Sequence, residues 1–176
     1  MIDRRALDEL ILKNDANDWW QPDRFRAHTK SLLPSELDLL LDPPAEEENY
    51  NCFLYALGLH SDPEVIAETS GFIYDSFFKH LLQKNELQIT ANPNDGDWVV
   101  YQDLVNYPDN YTHIGVLRDG AVVSKWAWGP LIAHALWDVP AEYGDHVFYV
   151  AGVDLQTAKS LYLQYRECNV KPHSTD

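Results

Sequence analysis

Apolar positions along the chain change period once, near its middle. From Asp3 to Lys13, Ala6, Leu7, Leu10 and Ile11 recur at helical spacing, with Asp3 as N-cap and Asn14-Asp15 as the stop, which predicts a short amphipathic helix. A loop rich in Trp, Asp, Pro and Arg (Trp19 to Arg26) follows, its Trp19-Trp20 pair expected to plug the core. Ser35 in Pro34-Ser35-Glu36-Leu37-Asp38 is expected to cap a second short helix that Asp42-Pro43-Pro44 ends. Within Asn49 to Gly58 an apolar helix of a turn and a half or more is expected to start after the Asn residues, with Cys52 in its first turn and Gly58 fitted for a left-handed C-cap. Asp62-Pro63 opens the next helix, and Phe72 to Lys84 continues helically with Phe77, Phe78, Leu81 and Leu82 inside.

After Asn92-Pro93-Asn94-Asp95-Gly96 the pattern turns to strands: Asp97 to Tyr101, Thr112 to Leu117, Ala121 to Trp126 and His146 to Val150. Asp119-Gly120 joins the second and third as a two-residue hairpin turn, since both residues tolerate positive φ. A last amphipathic helix, capped by Asp154, carries Leu155, Ala158, Leu161, Tyr162 and Tyr165. Helices first and an antiparallel meander second make an α+β domain. The whole chain, 1–176, reads as one domain, with a helical extension over 1–48, a functional core over 49–152 and the closing helix over 153–176. Glu46-Glu47-Glu48 marks the boundary as an exposed linker.

Composition narrows the function. A length of 176 residues, 45% hydrophobic, suffices for one compact core. The net charge of −15 repels nucleic acid and anionic membranes over most of the surface. No apolar run approaches the ~18 residues of a membrane span, and Met1-Ile2-Asp3-Arg4-Arg5 lacks a signal peptide's apolar stretch, so a soluble cytoplasmic protein is expected. Cys52 and Cys168 form no disulfide framework, and neither they nor the seven histidines show metal-ligand spacing. No metal and no cofactor are expected, and Cys168 reads as a free thiol on the last helix.

A thiol becomes nucleophilic when held as thiolate, which a helix N-terminus and a neighbouring imidazolium both favour. Cys52 has the first by position, and His113, in the strand Tyr111-Thr112-His113-Ile114-Gly115-Val116, can supply the second. The order of Asn51-Cys52 opening an apolar helix, Gly96-Asp97-Trp98-Val99-Val100-Tyr101, His113-Ile114-Gly115-Val116 and Gly120-Ala121-Val122-Val123 resembles the permuted papain-like enzymes of the NlpC type and their CHAP-domain relatives, over roughly Asn49 to Val150. The later Ser124-Lys125-Trp126, Gly129 to His134 and Tyr143-Gly144 look like an uncharacterised bacterial branch of that clan.

The resemblance implies a helix layer on an antiparallel sheet, Cys52 as nucleophile toward an amide or thioester carbonyl, and His113 as the base that later protonates the leaving group. It also implies the Cys52 N–H as one oxyanion donor, with the Asn51 or Asn49 amide as the second. The family's third residue, which orients the imidazole from the following strand, is matched by Ser124 and then Lys125. A serine hydroxyl stabilises an imidazolium poorly and a charged lysine cannot accept a hydrogen bond, which leaves His134 or Asp97 as the other candidates for that role. Trp126 and Trp128 are candidates for the substrate cleft, although aromatics of this density, Trp137 included, more often close a core. Two functions follow: a thiol hydrolase or acyltransferase on a peptide or protein substrate, or an inactive acidic binding protein, such as an immunity or inhibitor protein for a basic partner.

Overall fold

The computed structural model describes residues 2–12 and 20–169. Helix α1 (Arg4–Leu7) is capped by Asp3, whose carboxylate accepts from the Arg5 and Ala6 N–H groups, and it runs on as a wider π-type turn over Asp8–Leu12. The expected stop at Asn14-Asp15 lies outside the described residues, as does Trp19. The stretch expected as loop around Trp19 to Arg26 is instead helical from α2 (Pro22–Arg24) through Leu32, because Pro22 is preset for a first turn and Phe25 is fully buried by the coil.

The helix expected from Ser35 is absent, and the chain forms strand β1 (Asp38–Leu41), paired antiparallel with residues 131–133. Tertiary pairing decides here: Leu37 and Leu39 reach the core only from an extended backbone. Glu46–Glu48 make one exposed 3-10 turn. Helix α3 (Cys52–Ala56) ends at Gly58, which adopts the left-handed conformation with φ +72°. Asp62 caps α4 (Pro63–Thr69), and α5 (Asp75–Gln83) begins three residues later than Phe72.

Strands β2 (Ile89–Thr90), β3 (Trp98–Gln102), β4 (Tyr111–Arg118), β5 (Ala121–Lys125), β6 (Leu131–His134) and β7 (His146–Val150) complete an antiparallel sheet in the order β1-β6-β5-β4-β3-β7-β2. Asp119 and Gly120 both have positive φ, as the hairpin between β4 and β5 requires. The chain closes with α6 (Leu155–Asn169), Asp154 accepting from the Thr157 N–H. This is an α+β fold. Among the described residues no helix is long and apolar enough to cross a membrane.

Strand alternation sorts the side chains into two cores. Trp98, Val100, Ile114, Val116 and Val123 meet Cys52, Phe53 and Leu54 of α3, Phe77 and Phe78 of α5 and Leu161 of α6. Val99, Tyr101, Val122, Trp126 and Ile132 face the other way, onto Leu7, Leu37, Val139 and Tyr143. Each fully buried Phe or Leu contributes about 1.5–3 kcal/mol, so both faces are held strongly. This division fixes where every candidate residue on β4 and β5 points.

Candidate functional site

Three local interactions hold Cys52 in position. The Asn51 side chain accepts from the Leu54 N–H at 3.2 Å and donates to the Ile73 carbonyl at 2.8 Å, capping α3 and tying it to the start of the next segment. The Asn51 N–H donates to the carbonyl of Gly71 at 3.0 Å. Gly71 has φ +73°, and a Cβ there would overlap the Asn49 carbonyl oxygen, so only glycine allows this close approach.

The Cys52 thiol is buried between α3 and β4. The N–H groups of Ile114, Phe53 and Cys52 itself face the sulfur and favour its ionised form, as does the Lys125 ammonium, yet burial dominates and pushes the thiol up to about 11. The resting group is therefore a thiol. It forms part of the wall of an open cleft of about 360 Å³, with His113, Tyr143, Trp128, Phe72 and Tyr111 among its other lining residues.

His113 reaches that cleft from the opposite side of the sheet. It pairs across the strands with Tyr101, whose ring belongs to the core away from the helices, whereas its neighbour Ile114 packs with Cys52. Its imidazole stacks on Tyr143, and its Nε2 is buried without a hydrogen-bond partner. Burial, followed by the nearness of a second imidazole, His134, lowers its pKa well below the usual value, so the ring is neutral at pH 7. Cys52 and His113 thus share a cleft, as a neutral thiol and a neutral imidazole.

Lys125 occupies the place on the helix side that His113 does not. The last residue of β5, it is 1% exposed, pairs with Leu131 of β6, and lies two residues along from Val123, which packs in the helix-side core. Its ammonium donates to the Gly129 carbonyl and stands 5.1 Å from the centre of the Tyr50 ring, two residues before Cys52. Among the described residues no carboxylate pairs with it. Burial lowers its pKa to about 7, with the Cys52 charge acting in the opposite direction. Sequence reasoning considered this residue only as an orienter of His113; the signal it missed was the parity that sets Lys125 on the face of Val123.

Ser124 and His134 form a bonded group away from the cleft. Ser124 Oγ contacts His134 Nε2 at 2.8 Å and accepts from Trp126 Nε1 at 3.0 Å, while His134 Nδ1 meets the Ala135 carbonyl at 2.8 Å. One assignment satisfies all three contacts: Nδ1 protonated, Nε2 accepting from the serine hydroxyl. Burial lowers the His134 pKa to about 4, which agrees with a neutral ring. Gly115 lies opposite this group, and a Cβ there would come within 3.0 Å of the Ser124 Cβ.

Asp97, the other candidate orienter, caps the exposed loop ahead of β3 by accepting from the Asn94 and Gly152 N–H groups. Asn49 accepts from the Tyr50 N–H and donates to the Trp128 carbonyl at 2.8 Å, which helps to fix the loop after β5. In that loop Ala127 is held at φ +45°, an uncommon conformation for a residue with a Cβ, and both Ala127 and Trp128 line the cleft. Trp126 is fully buried in the second core, and Trp137 is 40% exposed. Cys168 is an exposed free thiol on α6. No cluster of side chains suited to a metal occurs among the described residues.

A family model described as Domain of unknown function (DUF7689) matches residues 43–151, the stretch from the turn before α3 to the end of β7. No curated protein and no solved structure matches the chain.

Proposed function

Taking as premise that this chain belongs to the DUF7689 family, we propose that it is a thiol hydrolase or acyltransferase acting on an amide or related acyl bond, with Cys52 as nucleophile and His113 beside it. One observation carries this reading: a cysteine in the first turn of α3 opens onto a largely aromatic cleft shared with a histidine that has an unbonded ring nitrogen. The papain-like, NlpC-type arrangement is part of the same proposal, supported by a helix-borne cysteine packed on an antiparallel strand that bears the histidine.

In the proposed reaction the Cys52 sulfur bonds to the acyl carbon as its proton leaves, and the tetrahedral adduct then expels the amine or thiol, which takes up a proton. The unbonded His113 nitrogen is available to hydrogen-bond the leaving group. Water, or an acceptor amine or thiol, then attacks the thioester and releases Cys52. The aromatic lining suits an apolar or aromatic acyl group on a peptide or protein. Ser124 and His134 bond to each other and to Trp126, and the Asn49 and Asn51 amides each donate to a backbone carbonyl, so these four are read as framework of the site.

The test is intact-mass detection of an acyl adduct after incubation with an activated aromatic acyl ester. An adduct on Cys52 that forms faster than on Cys168, and turns over with added water or amine, is the expected result. Acylation of Cys168 without acylation of Cys52 overturns the proposal. The second reading, an acidic binding protein, draws on the exposed Tyr74 and Tyr107 rings at the cleft rim and on the net charge of −15. It expects C52A to leave function untouched, and charge reversal of Glu46, Glu47 and Glu48 to weaken binding of a basic partner.

A further inference from the structure

We propose that Lys125 is the proton acceptor for the Cys52 thiol, so that a buried cysteine-lysine pair on the helix side of the sheet, in place of a cysteine-histidine pair, generates the nucleophile. The inference rests on the reading of Cys52 as nucleophile and assigns the base that reading needs.

Three observations converge on it. Strand parity sets His113 of β4 and Lys125 of β5 on opposite faces: His113 goes to the face of Tyr101, whereas Lys125 goes to the face of Ile114 and Val123, where Cys52 packs. Lys125 is buried without a carboxylate among the described residues, and the Coulomb interaction with Cys52 is the one that favours its charge. A lysine removed from water with no counter-ion loses its proton readily, and a neutral amine is a base that a charged one is not. Finally, its contacts to the Gly129 carbonyl and the Tyr50 ring hold the amine at the start of α3 rather than letting it extend to solvent.

The titratable groups around the thiol are Lys125 from β5, Tyr143 from the turn before β7 and Tyr111 and His113 from β4, with Tyr74, Asp75 and Tyr107 farther along the cleft wall. Tyr50 faces Lys125 itself. Asp75 is already paired with Lys79 and accepts from the Tyr111 N–H, while Tyr50 and Tyr143 are both raised above the ordinary tyrosine value and stay neutral. Histidine and lysine are therefore the two candidates for a base, and His113 is the weaker one, since its protonated form is strongly disfavoured.

The step balances simply. The S–H bond breaks as the S–C bond to the acyl group forms, and the proton passes to Lys125 Nζ. The departing amine or thiol takes its proton from solvent, the water or acceptor that attacks the thioester returns one to solvent, and the ammonium gives its own proton back to the sulfur as the thioester is cleaved. Lys125 makes no contact with substrate and acts through Cys52.

The experiment is the pH dependence of Cys52 alkylation by iodoacetamide, a small neutral electrophile, in a C168S background. The wild-type rate is expected to rise through a step near pH 7, where Lys125 becomes neutral. K125M loses that step and reacts about tenfold or more slowly at pH 8, since assistance by a positioned general base is typically worth at least that much. K125R also fails to restore the step, because a guanidinium does not deprotonate in this range. A K125R profile like wild type would overturn the assignment of Lys125 as base, and so would a K125M profile that keeps the step. If K125M does not fold, H113F decides: a retained step supports Lys125, and a lost step assigns it to His113. Alkylation needs no acyl substrate, so a lysine-dependent step without acyl-enzyme formation would sink the hydrolase reading alone, and acylation with an unchanged K125M profile would sink this inference alone.

Discussion

The His113 imidazole lies flat against the Tyr143 phenol ring, with centroids 3.9 Å apart and planes within 9° of parallel. The stack fixes the ring on the cleft wall without any hydrogen bond at Nε2, and it carries Tyr143 to within the reach of the Cys52 charge. Tyr143 thereby joins the two faces of the sheet. Its hydroxyl is buried without a well-formed hydrogen bond, so its ring matters more than its oxygen. Y143F is expected to keep stability within about 1 kcal/mol, whereas Y143A, which removes the stack and leaves a cavity, costs about 3–5 kcal/mol. Denaturant unfolding of the two variants checks this; equal losses would mean that the hydroxyl matters as much as the ring.

The contacts among Ser124, His134 and Trp126 lead to a different pattern. S124A leaves the His134 Nε2 acceptor and the Trp126 Nε1 donor buried and unpaired. Two such groups cost about 2–5 kcal/mol together. The same variant is expected to leave the Cys52 alkylation rate within about twofold of wild type in the folded protein, since none of the three residues lines the cleft. A large fall in alkylation with stability retained would return Ser124 and His134 to the chemistry.

Local signals in the sequence carried much of this structure. The Asp3, Asn51, Asp62 and Asp154 caps, the left-handed Gly58 and the Asp119-Gly120 turn all lie where residue type alone expects them, because each is decided within a few residues of chain. Strands β1, β2 and β6 were missed for the converse reason: β1 and β6 are four residues each and β2 is two, and their extended form depends on partners far along the chain. Cys52 and His113 could be nominated from their contexts, and both line the cleft. The face on which each residue acts was also written in the sequence, in the alternation of Ile114 and Val116 against His113 and Gly115. Reading that parity through to Val123 and Lys125 would have shown that lysine, rather than serine, shares a face with the cysteine.

Asn51 is the residue that sets the cysteine in place, and two substitutions separate its roles. N51A removes the bonds to the Leu54 N–H and the Ile73 carbonyl and is expected to cost about 1–3 kcal/mol, with slower acylation of Cys52 as α3 frays. N51D keeps an acceptor for the Leu54 N–H, loses the donor to the Ile73 carbonyl and adds a negative charge on the residue next to Cys52, which disfavours the thiolate. Its alkylation is expected to be slower than wild type at pH 8 even where its melting temperature is closer to wild type than that of N51A. Comparing the two rates at matched folded fraction tests the distinction, and a faster N51D would refute the electrostatic part.

Stability is expected to peak at an unusually alkaline pH, because the buried titratable groups act in three windows. His134, lowered to about 4 from 6.5, and His113, also lowered well below 6.5, stabilise the fold above pH 6.5, and that contribution is lost as pH falls toward 4, when the unfolded chain takes up protons that the folded one refuses. Lys125 is lowered from 10.5 to about 7, so its contribution is complete above 10.5 and lost as pH falls through 7; between 7 and 9 stability rises by at most about 1.4 kcal/mol per pH unit. Cys52 is raised from 9 to about 11, so its contribution is present below 9 and lost as pH climbs toward 11, which opposes further gain from the lysine. The sum places the maximum near pH 9, above the range of about 5 to 8 usual for proteins. Urea titrations from pH 5 to 10 measure the curve directly. K125M is expected to abolish the rise between pH 7 and 9 and to leave the acid limb of the histidines intact; a wild-type curve that is flat across that interval would show that Lys125 keeps its proton in the folded state.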